Sequence, residues 1–342
     1  MKRNQKGFSI IALILVICII LVGGVIYLSI SGNRETVNEE EYGYEPISNG
    51  ENEAIGYYYN QLSKPAKIMY NTILANIDQL KIGNGTIKFP DSVGDSIKEI
   101  NGDVDDNYFQ TAWDAISLEN LDLFYIDTQN LSISTRTTSV LGYESYGFTL
   151  EPRGGKNYYS STFSSKEEVD SAIQKVNDIA DEILYNAVGS TYDKVKYVHD
   201  WIVDNVEYDN DGTDNNDNIY GTFINKKVVC EGYAEAFKFL LDKLNIPCVL
   251  VYGDGYDNSG NVEAHAWNYV KMDDGKWYAV DTTWDDPLYI GSVNSAFTNS
   301  KKYTYFLKGA KNFNESHVND GDVSGTGQDF KYPELSETDY KR

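Results

Sequence analysis

The chain is poor in sulfur and imidazole. Three cysteines, three histidines and three methionines occur in 342 residues. Three cysteines cannot build a disulfide scaffold. Cys18 lies in an apolar run, so only Cys230 and Cys248 remain for the rest of the chain. A bridge between those two would consume the one thiol placed for chemistry, and Cys248 reads as a core thiol. Basic residues are also scarce: 29 Lys and Arg stand against 52 Asp and Glu, for a net charge of −23. Lys2, Arg3 and Lys6 supply +3 in the first thirty residues, leaving −26 for the remainder. A nucleic-acid partner is thereby excluded, because phosphate binding needs a basic face. Charge is absent altogether from Phe8 to Ile30. That length suits a helix crossing a hydrocarbon core about 30 Å thick. The basic flank predicts a cytoplasmic N-terminus and an extracellular C-terminal bulk, a single-pass anchor at the cell membrane. A cleaved signal peptide competes, but its apolar region would be shorter.

With so few thiols and imidazoles, their neighbourhoods carry the information. Cys230 precedes apolar residues at Tyr233, Ala234, Phe237, Leu240, Leu241 and Leu244, a helical spacing. Asn245-Ile246-Pro247 ends that helix. Cys230 therefore occupies a first turn, where free N–H groups and the dipole favour a thiolate. Its own N–H is a candidate oxyanion donor.

The partners follow on strands. Pro247–Gly253 reads as a buried strand, and Glu263–Met272 alternates, with His265, Trp267 and Tyr269 on one face. Asp273-Asp274-Gly275 is a turn sequence leading into Lys276–Trp284. Parity decides whether this hairpin brings chemistry together. A two-residue loop sets His265 opposite Trp284 and turns Asp281 to the wrong face. A three-residue loop pairs 272 with 276 and sets His265 opposite Thr283. Asp281 then becomes a same-face diagonal neighbour, with Cα atoms roughly 7–8 Å apart. The hairpin is expected to have the odd connection, with glycine in the left-handed position.

These blocks resemble the bacterial transglutaminase-like superfamily, a branch of the papain-like thiol enzymes. The matching pieces are Tyr220-Gly221, Val229-Cys230-Glu231-Gly232-Tyr233-Ala234, Ile246-Pro247-Cys248, His265-Ala266-Trp267-Asn268 and Trp277 to Pro287. Val198-His199-Asp200-Trp201 and Val206-Glu207-Tyr208-Asp209 match upstream. The resemblance covers roughly residues 170 to 320. It implies an α+β fold with a papain/transglutaminase-like core, in which a nucleophile-bearing helix packs on an antiparallel sheet. It implies Cys230 as nucleophile, His265 as general base and acid, and Asp281 as the group orienting His265. Acyl transfer through a Cys thioester on protein or peptide amides would follow, resolved by water or an amine. Tyr220 is a candidate second oxyanion donor, and Trp267 and Trp284 are candidate walls of the site. No cofactor and no metal are expected. The competing reading keeps the fold as a binding or assembly module with little activity. Lys6-Gly7-Phe8-Ser9-Ile10-Ile11 resembles a type IV prepilin processing site, although Ala12 stands where that family carries glutamate.

The expected organisation is a basic flank and transmembrane helix (1–30), a flexible stalk (31–56), a mixed α/β region (57–165), the transglutaminase-like domain (166–320) and a frayed acidic tail (321–342). In the mixed region, helices are expected over Tyr57–Leu80 and Phe109–Leu118, and strands over Leu121–Asp127 and Tyr146–Leu150. Ser164-Ser165-Lys166-Glu167 is expected to open a long helix with a serine cap, with another helix beginning near Tyr192. Asp209 to Asp217 offers oxygens for calcium but lacks the length and closing glutamate of an EF-hand, so it reads as a polar loop. His199 reads as structural, and His317 receives no role.

Overall fold

The computed structural model describes residues 52–256, 261–286 and 302–342. The expected membrane anchor, the prepilin-like motif and the stalk up to residue 51 lie outside the described residues. Among the described residues no helix is long and apolar enough to cross a membrane.

In chain order the described helices are α1 (Lys64–Ala75), α2 (Ile77–Lys81), α3 (Ser92–Glu99), α4 (Tyr108–Glu119), α5 (Lys166–Leu184), α6 (Thr191–Asn205), α7 (Cys230–Lys243) and α8 (Ala310–Phe313). The strands are β1 (Ile87–Lys88), β2 (Leu131–Val140), β3 (Tyr143–Pro152), β4 (Glu207–Tyr208), β5 (Lys227–Val228), β6 (Cys248–Tyr256), β7 (Val262–Lys271), β8 (Trp277–Val280) and β9 (His317–Asn319).

Helix starts follow their capping chemistry. Ser165 accepts the Glu168 N–H at the head of α5. Ser190 and Asp193 form a reciprocal capping box on α6. Helix α7, like α1 to α4 and α8, has no side-chain cap, and extended Val229 precedes Cys230. The N–H groups there are thus not spent on a side-chain acceptor.

An antiparallel sheet ordered β8-β7-β6-β9 supports the site. Helix α7 packs across β6 and β7, burying Tyr233, Ala234, Phe237, Leu240 and Leu241 over the buried run Cys248–Val251. Asn268 on β7 donates to the Ala234 carbonyl at 3.0 Å, tying sheet to helix. The expected α+β architecture of a helix laid on an antiparallel sheet is the one observed. A short parallel pair, β4 with β5, sets Tyr208 beside Val228, two residues before the thiol.

Residues 57–165 form helices α1, α3 and α4 around a second antiparallel sheet ordered β1-β3-β2. Contacts cross the expected 165/166 boundary. The Tyr58 hydroxyl donates to the Leu250 carbonyl of β6, and the Ser161 hydroxyl donates to Asp214 at 2.8 Å.

Several local expectations need correction. The single helix expected over 57–80 is a 3-10 turn at Tyr59–Gln61 followed by α1 and α2. Pro65 opens α1, and the chain breaks again at Asn76. Leu121–Leu123 is a 3-10 turn rather than the start of a strand. Leu121, Leu123, Phe124 and Tyr125 are all buried, so the apolar run has no strand alternation. Strand β2 was not expected; it is largely exposed and polar, and its partner β3 supplies its register. Residues 52–56, placed in the stalk, are packed instead: Asn52 and Ala54 are buried.

The acidic tail is a strap and not a frayed end. Phe330 is buried and meets the Tyr58 ring edge-on at 5.2 Å. The Tyr332 hydroxyl accepts the Tyr252 N–H at 3.0 Å. Leu335 bridges to Trp277 at the sheet edge, and Tyr340 stacks on Tyr192. Spaced apolar anchors hold a segment whose composition is otherwise polar. Truncating Phe330 to Ala is expected to lower unfolding free energy by about 3 kcal/mol, read from the denaturant midpoint. A tail that frays would leave the midpoint unchanged.

Candidate active site

The β7–β8 hairpin places the imidazole and the acid. Lys271 pairs with Trp277 and Asn268 with Val280, and the Met272 N–H donates to the Lys276 carbonyl at 3.0 Å. The connection is the odd one, residues 273–275, with Gly275 left-handed at φ 78°. The paired ladder ends at Val280, and the turn that follows it carries Asp281 to the His265 ring. The result is a 2.8 Å contact between His265 Nε2 and Asp281 Oδ2. Cys230, half-buried at the tip of α7, is close enough to act on the charge of the same ring. With Nε2 committed to Asp281, Nδ1 is the nitrogen left for the sulfur.

Asp281 is fully buried, so its charge must be met by donors. Oδ1 accepts the N–H groups of Thr283 and Trp284 at 2.9 and 3.0 Å. Oδ2 accepts from His265 and also from His317 Nε2 at 3.0 Å. Burial works to raise this carboxyl, but the His265 charge and hydrogen bond, with His317, outweigh it and hold Asp281 well below the usual carboxylate range. Burial likewise works to lower His265. The Asp281 charge and hydrogen bond, joined by Cys230, lift it to about 10. The ring is an imidazolium across neutral pH, the state that stabilises a neighbouring thiolate and can donate a proton.

Trp284 stacks on His265 at 4.9 Å and is itself nearly buried, so it screens the His265–Asp281 pair from water. Gly255 makes this possible: a Cβ there would lie 2.8 Å from the Trp284 ring. Trp267 is buried at 5.9 Å from His265 and meets His317 edge-on at 5.0 Å. Tyr220 packs between Phe124 and Phe163, and its hydroxyl makes no hydrogen bond among the described residues.

Two residues without an expected role stand here. His317, on β9, shares Asp281 with His265. Tyr208 is pushed up to about 12, by burial first and then by the charge of Cys230. The Tyr208 block was visible in the sequence; nothing local marked His317. His199 is buried and contacts Asp285 at 3.1 Å, and the Asp285 N–H in turn bonds the Asp281 carbonyl. Asp209 spends its carboxylate on the loop itself, accepting from Asp211, Thr213 and Asn216.

His265, Asp281 and His317 also place three ligand atoms within 4.8 Å of one another, which could hold a metal. That use competes with the hydrogen-bonded one. A nitrogen facing a carboxylate carries a proton, whereas a metal-bound nitrogen does not.

Residues 177–282 match the family model described as the transglutaminase-like superfamily, which spans α7 and the β6–β8 strands. Solved structures that match part of the chain include a TGase (15% identity, 49% of this chain and 46% of that one, TM-score 0.30). A proposed cysteine protease from Cytophaga hutchinsonii matches at 17% identity, over 48% of this chain and 70% of that one, TM-score 0.27. The periplasmic domain of TgpA from Pseudomonas aeruginosa bound to ethylmercury matches at 17% identity, 46% and 66% coverage, TM-score 0.27. The chain spans less than half of the TGase's own length, and at such scores no activity carries over. No curated relative matches.

The raised His265 value links the site to stability. Folded near 10 against 6.5 for a free ring, it favours the native state whenever it is protonated. That contribution is fully present below about pH 6.5 and is lost as pH rises through about 10. The melting temperature of the unaltered chain should therefore fall between pH 7 and 10, by an amount worth a few kcal/mol. In His265→Gln the fall over that window should be clearly smaller; equal slopes would contradict the assignment.

Proposed function

We propose that the protein is a thiol enzyme that cleaves or transfers acyl groups of protein or peptide amides through a thioester on Cys230. One observation carries this reading: the His265 ring has Asp281 on Nε2 at 2.8 Å and is acted on by the nearby Cys230 sulfur. A nucleophile, a proton carrier and an orienting carboxylate are thereby in contact order.

In the acylation step, the Cys230 thiolate attacks the amide carbon and the carbonyl electrons move onto oxygen. Collapse of that oxyanion expels the amine, which takes the proton from His265. The products are a Cys230 thioester and a neutral imidazole. In the second step His265 removes a proton from water or an amine, which attacks the thioester; the thiolate leaves and the imidazolium is restored. Asp281 keeps its charge throughout, since four donors hold it.

The oxyanion needs donors. The Cys230 N–H, in a first turn without a side-chain cap, is one candidate. Tyr208, whose pairing with Val228 brings it beside the thiol, is a better second candidate than Tyr220, whose ring is held by Phe124 and Phe163. A cavity of about 390 Å³ lies beside the start of α7, lined by Glu231, Asp217, Asn218, Phe124 and Trp113. A single-pass anchor from residues 8–30 would hold this site outside the cell, where surface proteins and peptides are the substrates.

An activated acyl donor and an amide peptide, each incubated with the purified chain, test this. Mass spectrometry should find the acyl group on Cys230, and Cys230→Ala should lose roughly 10³-fold or more in turnover. Full activity in Cys230→Ala would sink the proposal. Adding a primary amine separates transfer from hydrolysis by the product formed.

A further inference from the structure

We propose that His317 is a positioning residue of this site: its Nε2–H holds the Asp281 carboxylate between two imidazoles and so fixes His265 for the thiol. This role presupposes the thiol chemistry proposed above.

The placement is built into the sheet. Strand β9 pairs with the edge of β6, with Gly253 opposite Asn319 and Gly255 opposite His317. A Cβ on Gly253 would lie 2.2 Å from the Val318 carbonyl, so the missing side chain lets β9 close in. His317 is then clamped by rings. Phe313 stacks on it at 4.0 Å and 18°, Trp284 lies at 4.5 Å, and Tyr305 at 5.2 Å. Only 1% of the residue is exposed.

Its protonation follows from its partners. A charged carboxylate only accepts, so Nε2 facing Asp281 Oδ2 carries the proton. Nδ1 faces the Ser316 hydroxyl at 2.9 Å and accepts from it when the ring is neutral. Asp281 and the Phe313 carbonyl favour the charged ring, but burial and the charge of His265 prevail, and His317 is lowered from its ordinary value. The two rings on one oxygen therefore differ: His265 is charged, and His317 is a neutral dipole. One buried carboxylate balances one imidazolium, and a second cation would go unmatched.

The consequence for Asp281 is saturation. A carboxylate has about four lone-pair sites, and four donors occupy them. Remove the His317 N–H and one site of a fully buried anion is unmet. The carboxylate then loses its fixed plane, and with it the direction it imposes on His265.

Two variants separate this from packing. His317→Phe keeps an aromatic ring against Phe313 and Trp267 but has no N–H. His317→Gln keeps an N–H at the position of Nε2 but has no ring. Loss of the donor should slow Cys230 alkylation at pH 7 and acyl turnover by about 10–100-fold in His317→Phe. His317→Gln should recover most of that, even where its melting temperature is the lower of the two. The reverse order, with Phe as good as the unaltered chain and Gln impaired, would overturn the proposal in favour of packing. Ring nitrogen shifts in the unaltered chain give a check that needs no variant. Neutral His317 protonated on Nε2 at pH 7 is expected; a proton on Nδ1 alone would overturn it. Failure of the thiol-enzyme proposal itself looks different: Cys230 would be unreactive before any change at His317.

Discussion

A single buried carboxylate organises this molecule's chemistry. Asp281 has no access to water, so every lone pair must find a donor within the protein. Two backbone N–H groups fix one oxygen and two imidazoles fix the other. Those four bonds determine where the chain turns after β8, how the His265 ring lies, and where β9 must dock. Loss of any donor leaves a charge that the low-dielectric surroundings cannot screen. The Trp284 ring over His265 and the aromatic clamp on His317 keep water from substituting.

The proposed nucleophile arrives by a separate route. Helix α7 begins at Cys230 without a capping side chain, as do most of the described helices. An uncapped first turn suits the proposed use of that end of the helix, where a capping oxygen would compete with a substrate oxyanion for the same N–H groups. Tyr208 comes to the same place through the two-residue parallel pair β4–β5. The rest of the chain serves to hold helix and sheet together. Tyr58 bonds to β6, and the C-terminal strap lies along the same sheet through Tyr332 and Leu335.

Much of the site was legible in the sequence because it depends on short-range rules. Two-residue periodicity and a glycine-bearing turn of Asp273-Asp274-Gly275 were enough to put Asp281 on the face of His265. The helical spacing after Cys230 was enough to put the thiol at a helix tip. His317 was not legible, because its role depends on β9 returning to the edge of β6 from sixty residues downstream. The only local hint was Gly253-Asp254-Gly255, a strand with no side chains on one face, which marks a close approach by another backbone. The tail misled for a related reason. Its acidic, glycine-containing composition is that of a disordered segment, while Phe330, Tyr332, Leu335 and Tyr340 are spaced too irregularly to announce an element. Strand β2 had no apolar alternation to read, since its register comes from β3.

The most direct test of the organising carboxylate is the protonation of His265 itself, followed by ring nitrogen shifts from pH 6 to 11. A ring held by Asp281 and paired with the Cys230 sulfur should keep both nitrogens protonated through neutrality and titrate near pH 10. A ring that loses its proton near pH 6.5, the value of free histidine, would show that the buried acid and the thiol do not act on it.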